Sequence, residues 1–169
     1  MSRVRSKTHS AASQPRIDRV SREHGDDSYG LRGKLPDPTV CTECGASYHE
    51  GRWTWRPAPA ESHRTCCPAC RRIQDDYPAG IVTLEGTFLE SHRQEIESLA
   101  RNLEEREKAD RPLKRIMRIT QTGDGSLEIA TTDAHLARGI GTALHDAYAG
   151  ELDAPFTDSE NLVRIHWRR

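Results

Sequence analysis

Residues 41–70 read CTECGASYHEGRWTWRPAPAESHRTCCPAC, with one Cys-x-x-Cys pair at Cys41 and Cys44 and a second at Cys67 and Cys70. A C-x2-C turn brings two thiolates to one side of a tight loop, ~2.3 Å from a shared ion. Gly45, directly after the first pair, lets the backbone turn tightly around the sulfurs. Two such knuckles complete a tetrahedral four-sulfur site with no open position, the pattern of a structural Zn²⁺ rather than a catalytic one. A redox dithiol needs one pair, and two incidental pairs need two coincidences. Zn²⁺ is therefore the expected cofactor. Cys66 is left over as a free thiol or a register alternative to Cys67, and the x2 spacing favours Cys67. His49 and His63 are fallback ligands. The metal is expected to supply much of the folding energy, because this segment has few large apolar groups.

The excursion between the knuckles is expected to form a β-hairpin or ribbon. It packs aromatic and basic residues together as Tyr48-His49-Glu50-Gly51-Arg52-Trp53-Thr54-Trp55-Arg56, and Arg64, Arg71 and Arg72 flank the ligands. Trp53 and Trp55 are two apart and would share one face of a strand. Aromatics interleaved with arginines stack on unpaired bases and hold phosphates. The competing reading buries the tryptophans against a second domain and leaves the arginines free.

Working outward, residues 1–36 show no sustained period of 2 or 3.6 and are expected as a disordered basic tail. Residues 37–79 form the cysteine module. Residues 80–169 alternate between strand and helix patterns. Gly80–Leu84 is a β-branched run. Thr87 to Glu90 has the form of a capping box, followed by a helix with Leu89, Ile96, Leu99 and Leu103 on one stripe and Glu97–Arg101 and Glu104–Lys108 as i,i+4 pairs. Pro112 ends it. Leu113–Gln121 and Leu127–Thr131 flank a Thr-Gly-Asp-Gly turn as a hairpin. A second helix starts at Thr132 or Asp133, with Leu136, Ile140, Ala143, Leu144 and Ala147 inward, and Gly139 and Gly141 inside it read as tight packing on a sheet. In the last strand, Asn161–Arg168, Val163, Ile165 and Trp167 alternate with Arg164, His166 and Arg168. The predicted class is α+β: a treble- or zinc-ribbon-like module, then a ferredoxin-like βαββαβ domain with two helices on one face of a four-stranded antiparallel sheet. The basic trio of the last strand would lie on the open face.

The chain has 169 residues and a formal net charge of −1. Residues 1–40 carry eight Lys/Arg against five Asp/Glu, and residues 81–169 carry twelve against sixteen. A basic start on a mildly acidic body suits an arm that touches phosphate, and a charge run is equally often a solvated terminus. The near-neutral pI of 6.7 argues against a dedicated DNA binder. No apolar run approaches the ~18 residues of a membrane span, and no apolar h-region follows the charged start, so no secretory signal is expected. The expected location is cytoplasmic, where cysteines serve as metal ligands or thiols. No Gly-rich phosphate loop, G-x-S-x-G or H-E-x-x-H occurs. Asp133 and His135 fall on different sides of a helix, and Asp75-Asp76 reads as a solvated turn. Neither an enzyme nor a small-molecule substrate is expected.

Three segments carry a resemblance: Leu35 to Gly45, Gly51-Arg52-Trp53-Thr54-Trp55 and Cys67-Pro68-Ala69-Cys70. Together with Thr131 to Arg138 and Val163 to Trp167, they resemble a family of short bacterial zinc-ribbon proteins over about residues 30–169. The two knuckles followed by an αβ domain are more distantly similar to the N-terminal region of the large-ribosomal-subunit export adaptor of eukaryotes and archaea. That family binds ribosomes, so the resemblance implies an RNA or ribosome partner; 169 residues are too few for that family's further domains, so an export role is not expected. The expected function is a non-enzymatic RNA- or ribosome-associated adaptor. Arg52, Trp53, Trp55, Arg56, Arg64, Arg71, Arg72, Arg164, His166 and Arg168 are its candidate nucleic-acid contacts. The alternative is a protein–protein interaction module or transcriptional regulator presented by the zinc ribbon.

Overall fold

A computed structural model describes Tyr29, residues 34–154 and residues 162–169. The expected basic tail lies almost wholly outside the described residues. The cysteine module contains β1 (Thr39–Cys41), β2 (Ser47–His49), β3 (Arg52–Thr54), β4 (His63–Thr65) and the short helix α1 (Pro68–Gln74). Its sheet has the order β3-β2-β1-β4. β2 and β3 form the expected hairpin, β1 pairs antiparallel with β2, and β4 joins β1 in parallel. The second cysteine pair runs straight into α1, so one knuckle follows a strand and the other opens a helix.

The body follows as β5 (Gly80–Glu85), α2 (Thr87–Asp110), β6 (Ile116–Gln121), β7 (Leu127–Thr131), α3 (Ala134–Tyr148), β8 (Glu151–Asp153) and β9 (Val163–Arg168). The protein is thus α+β, with one four-stranded and one five-stranded sheet. In the body the order is β6-β7-β5-β9-β8. This corrects the expectation of four antiparallel strands: β9 lies beside β5 but runs parallel to it. The cause is β8. After α3 the chain reverses through Ala149 and Gly150, both at positive φ, and β8 pairs antiparallel with β9. One added strand flips the direction of the last. β8 is three residues long with its two acids exposed, too short for any period to register.

Both helices cover one face of this sheet. Val82 and Leu84, Leu127 and Ile129, and Ile165 and Trp167 point into a single core with Leu89, Ile96 and Ala100 of α2 and Leu136, Ile140 and Leu144 of α3. The strict alternation of β9 places these groups. The Trp167 indole N–H donates to the Ala149 carbonyl at 2.9 Å, so its polar atom is satisfied inside the core.

Helix ends follow local chemistry with one exception. Asp133 caps α3 by accepting from the Leu136 N–H at 2.9 Å. α2 starts at Thr87 after Gly86 and has no side-chain cap, so the expected capping box does not form. The ion pairs on α2 also differ from those expected: Arg93 meets Glu97 and Arg101 meets Glu104. Glu104 is buried, with its second oxygen accepting from the Ile116 N–H at 2.8 Å. A carboxylate turned inward to start β6 is not available to Lys108. Among the described residues, no helix is long and apolar enough to cross a membrane.

Candidate metal centre

Four cysteine sulfurs, those of Cys41, Cys44, Cys67 and Cys70, lie within 4.8 Å of one another. Each is placed by backbone geometry. Cys41 ends β1, where its N–H donates to the Ala46 carbonyl at 2.8 Å and its carbonyl accepts from the Gly45 N–H at 3.1 Å. That loop needs the positive φ of 76° at Gly45. Cys67 is the N-cap of α1, Pro68 occupies the first helical position, and Cys70 completes the first turn. Cys41, Cys67 and Cys70 are buried and Cys44 is half-buried. Cys66 lies outside the group, with its thiol directed at the Gln74 side chain and the Cys67 carbonyl. His49 is bound to Asp37 at 2.6 Å and is exposed, and His63 is exposed on β4. Neither histidine is among the four clustered ligands.

The donor set fits a tetrahedral thiolate metal. Four sulfurs at ~2.3 Å from one ion are separated by about 3.8 Å, and Cys44 and Cys67 stand 3.8 Å apart. Each sulfur also receives at least one N–H. The Cys67 N–H points at the Cys41 sulfur (3.3 Å) and the Cys70 N–H at the Cys67 sulfur (3.4 Å). The Arg115 guanidinium supplies the other two, to Cys70 (3.3 Å) and Cys44 (3.0 Å). Arg115 is 8% exposed. Its remaining hydrogen bond goes from Nε to the Pro112 carbonyl. No carboxylate bonds to it among the described residues, and the groups that face its charge there are the sulfurs of Cys44 and Cys70. A buried charge without a counter-charge is expensive, and thiolates supply one.

The sulfurs differ in how readily they ionise without a metal. Burial opposes ionisation of Cys41, but the backbone N–H groups of Cys44, Cys67 and Glu43 outweigh it and draw the thiol down to about 6. Burial raises Cys70 to about 11 against the pull of Arg115, and burial raises Cys67 as well. Four adjacent thiolates need a divalent cation to ionise together. Cys41, Cys44, Cys67 and Cys70 would hold it, and a closed four-sulfur set would give it a structural role.

Arg115 is the functional residue that the pattern reading missed. The run Leu113-Lys114-Arg115-Ile116 offered a faint signal, two cations at the start of a strand. Which of them turns inward depends on chain folding, and both do: Lys114 is also buried, bound to Glu107 at 2.5 Å.

The candidate nucleic-acid residues scatter into three groups. Arg52, Arg56 and Arg64 are exposed, and their side chains have no hydrogen-bonding or ionic partner among the described residues. Arg71 is exposed and, among the described residues, its side chain donates to the Cys66 carbonyl at 3.4 Å. Trp53 and Arg72 correct the expectation. Trp53 is buried against Tyr48 in the module's own core. Arg72 is buried, donates to the Tyr77 carbonyl and lies 4.6 Å from the Tyr29 ring centre. β3 ends at Thr54, so Trp55 is beyond the strand; it remains partly exposed but its indole N–H donates to the Lys108 carbonyl at 2.6 Å. Arg164, His166 and Arg168 do share the open face, opposite the buried residues of β9. They share it with acids: Arg168 bonds Glu85 at 2.9 Å and stands beside Glu151, and His166 stands beside Asp153. Comparison with protein-family models, with curated proteins and with solved structures returns no match.

Proposed function

We propose that this chain is a non-enzymatic, zinc-stabilised adaptor that binds structured RNA, with the ribosome as the expected setting, through the outer face of the module sheet. The supporting observation is the disposition of Arg52 and Arg64. Strand alternation puts Trp53, Tyr48, Thr39 and Cys41 on the metal side. Arg52 and Arg64 therefore sit on the opposite face, at the two edges of the sheet, with Arg56 just beyond β3. Cations held on a metal-braced sheet without acidic partners suit phosphate contact. Arg71 extends the set, while Trp53 and Arg72 are left out because they are buried. The resemblance to ribosome-binding adaptors points the same way, and residence in the reducing cytoplasm goes with the thiolate site.

The test is a binding titration of the zinc-loaded full chain with a labelled ribosomal RNA fragment, together with sedimentation of lysate on a sucrose gradient. Three phosphate contacts give a slope of about −2 to −3 in log affinity against log salt. Reversing all three charges, as R52E/R56E/R64E, is expected to abolish binding and cosedimentation. Zinc-loaded protein that binds no RNA at low salt and stays at the top of the gradient would end this reading.

A second reading has its own observation. The open face of the body interleaves Arg164, His166 and Arg168 with Glu85, Glu151 and Asp153, a mixed pattern that suits a protein partner better than a polyanion. Binding there would change little with salt and would survive the triple arginine reversal.

A further inference from the structure

We infer that Arg115 makes the metal centre a clamp between the cysteine module and the body, so that metal occupancy and the docking of these two parts are one equilibrium. The inference rests on the metal reading of the four cysteines and is independent of the RNA reading.

Arg115 sits on the segment that joins α2 to β6, which belongs to the body. Its backbone is fixed there: its N–H donates to the Thr132 hydroxyl at 2.9 Å, its carbonyl accepts from the Thr132 N–H at 2.9 Å, and Thr132 also bonds the Leu113 carbonyl at 2.6 Å. Its guanidinium crosses to the module and touches one sulfur from each knuckle, Cys44 and Cys70. The planar fork suits this two-pronged contact, and a lysine ammonium has no such shape. Neighbouring contacts reinforce the seam. Trp55 of the module bonds the Lys108 carbonyl at the end of α2, and Arg115 passes 5.8 Å from the Trp55 ring centre. Leu113 packs on the cysteine cluster.

A closed tetrathiolate around a divalent ion carries a net charge of −2. With the metal bound, Arg115 is a buried cation beside an anion. If the metal leaves, nothing ties Cys44 to Cys70 at the spacing of the guanidinium fork, and Arg115 loses its two sulfur partners while still buried. The buried guanidinium then favours opening of the seam. Conversely, Arg115 holds two of the four sulfurs in place and offsets part of the −2 charge of the loaded site, which favours occupancy. Arg115 is thus a positioning residue for the metal and the body's grip on the module.

The experiment uses the full zinc-loaded chain, R115M and R115K. In the wild type, chelation is expected to raise amide exchange in residues 39–74 and also in residues 113–118 and 130–132, while β5 and β9 stay protected. R115M is expected to bind one zinc with affinity reduced about 10- to 100-fold, the usual effect of losing an outer-shell partner. With cobalt(II) as the probe, its sulfur-to-metal charge-transfer band shifts to lower energy, because two sulfurs lose hydrogen bonds. R115K, which keeps the charge without the fork, recovers part of the affinity. Unchanged zinc affinity and an unshifted cobalt band in R115M would overturn the clamp. So would wild-type exchange at residues 113–118 that ignores chelation, a measurement that needs no variant to fold. Elemental analysis of the wild type separates the two failures: zinc bound without coupling removes only the clamp, and no zinc removes the metal reading itself.

Discussion

The cysteine module and the body are both small sheets with helices, yet they are stabilised by different means. The body buries Leu84, Val82, Ile96, Leu127, Ile129, Leu136, Ile140, Leu144, Ile165 and Trp167 in one core. The module's apolar cluster has Tyr48 and Trp53 as its large buried side chains, and its other buried members are alanine and cysteine. The Trp53 indole N–H is also buried without a partner among the described residues, a penalty of about 1–3 kcal/mol. A core that small does not offset the entropy of ordering its chain. The comparison teaches that the four sulfurs that could hold a metal ion lie where the module lacks the apolar interior that the neighbouring body builds from leucine and isoleucine.

The strongest way to break the comparison is to remove the metal. Chelation, or the C41S/C70S variant, is expected to unfold the module, since structural zinc contributes about 10 kcal/mol or more to such folds. The three indole N–H resonances report it: those of Trp53 and Trp55 should collapse to random-coil positions while that of Trp167 stays dispersed. A dispersed Trp53 signal in metal-free protein would mean that the module folds on its own core.

The reciprocal perturbation is L144A. Leu144 is fully buried in α3, and truncation should cost the body about 2–5 kcal/mol in urea unfolding. The zinc content of the native protein should remain one per chain. Smaller still is a pair of glycine variants within α3. A Cβ at Gly141 would lie 2.7 Å from Ile165 Cγ2 and 3.1 Å from Leu152 Cδ1, whereas at Gly139 the nearest such neighbour is Leu103 Cδ2 at 3.5 Å. G141A is expected to destabilise by about 1–3 kcal/mol through overpacking. G139A is expected to stabilise by up to about 1 kcal/mol through helix propensity. Thermal melts of the two variants decide the sign.

The smallest effect concerns pH and belongs to the body alone. Asp124, in the turn between β6 and β7, is drawn down to about 2 by hydrogen bonds from the Thr122 hydroxyl and from the Ser126 N–H and hydroxyl. A depressed carboxylate contributes stability above its ordinary range and loses it as pH falls towards about 2. The melting-temperature gap between wild type and D124N should therefore be present near neutral pH and close below about pH 4. A gap that widens in acid would contradict the assignment.

Much of this was legible beforehand, for identifiable reasons. The alternation of Val163, Ile165 and Trp167 located β9 and its buried face, because a strand side chain has only two directions to choose from. Thr132 or Asp133 marked the start of α3, because a cap acts within three residues, and Asp133 is the one that caps it. Gly141 was read correctly as a packing site, but Gly139 was not, because both look alike until the neighbouring strand is in place. The Thr87 capping box failed although its residues were suitable. The expected Glu104–Lys108 pair failed because Glu104 was needed inside, and Glu97 pairs with Arg93 rather than Arg101.

What the sequence determined by itself was the four-sulfur site, the α+β class, and the identity and order of most elements. These depend on spacing, periodicity and capping, which act over a few residues along the chain. Only the tertiary structure decided that β8 reverses the last strand, that Trp53 and Arg72 are interior, and that Arg115 completes the hydrogen bonding of the sulfurs. Each of these depends on which distant segments meet. Contact across 45 residues, as between Arg115 and Cys70, leaves no periodic trace in the chain, because its cause is packing and charge balance in three dimensions.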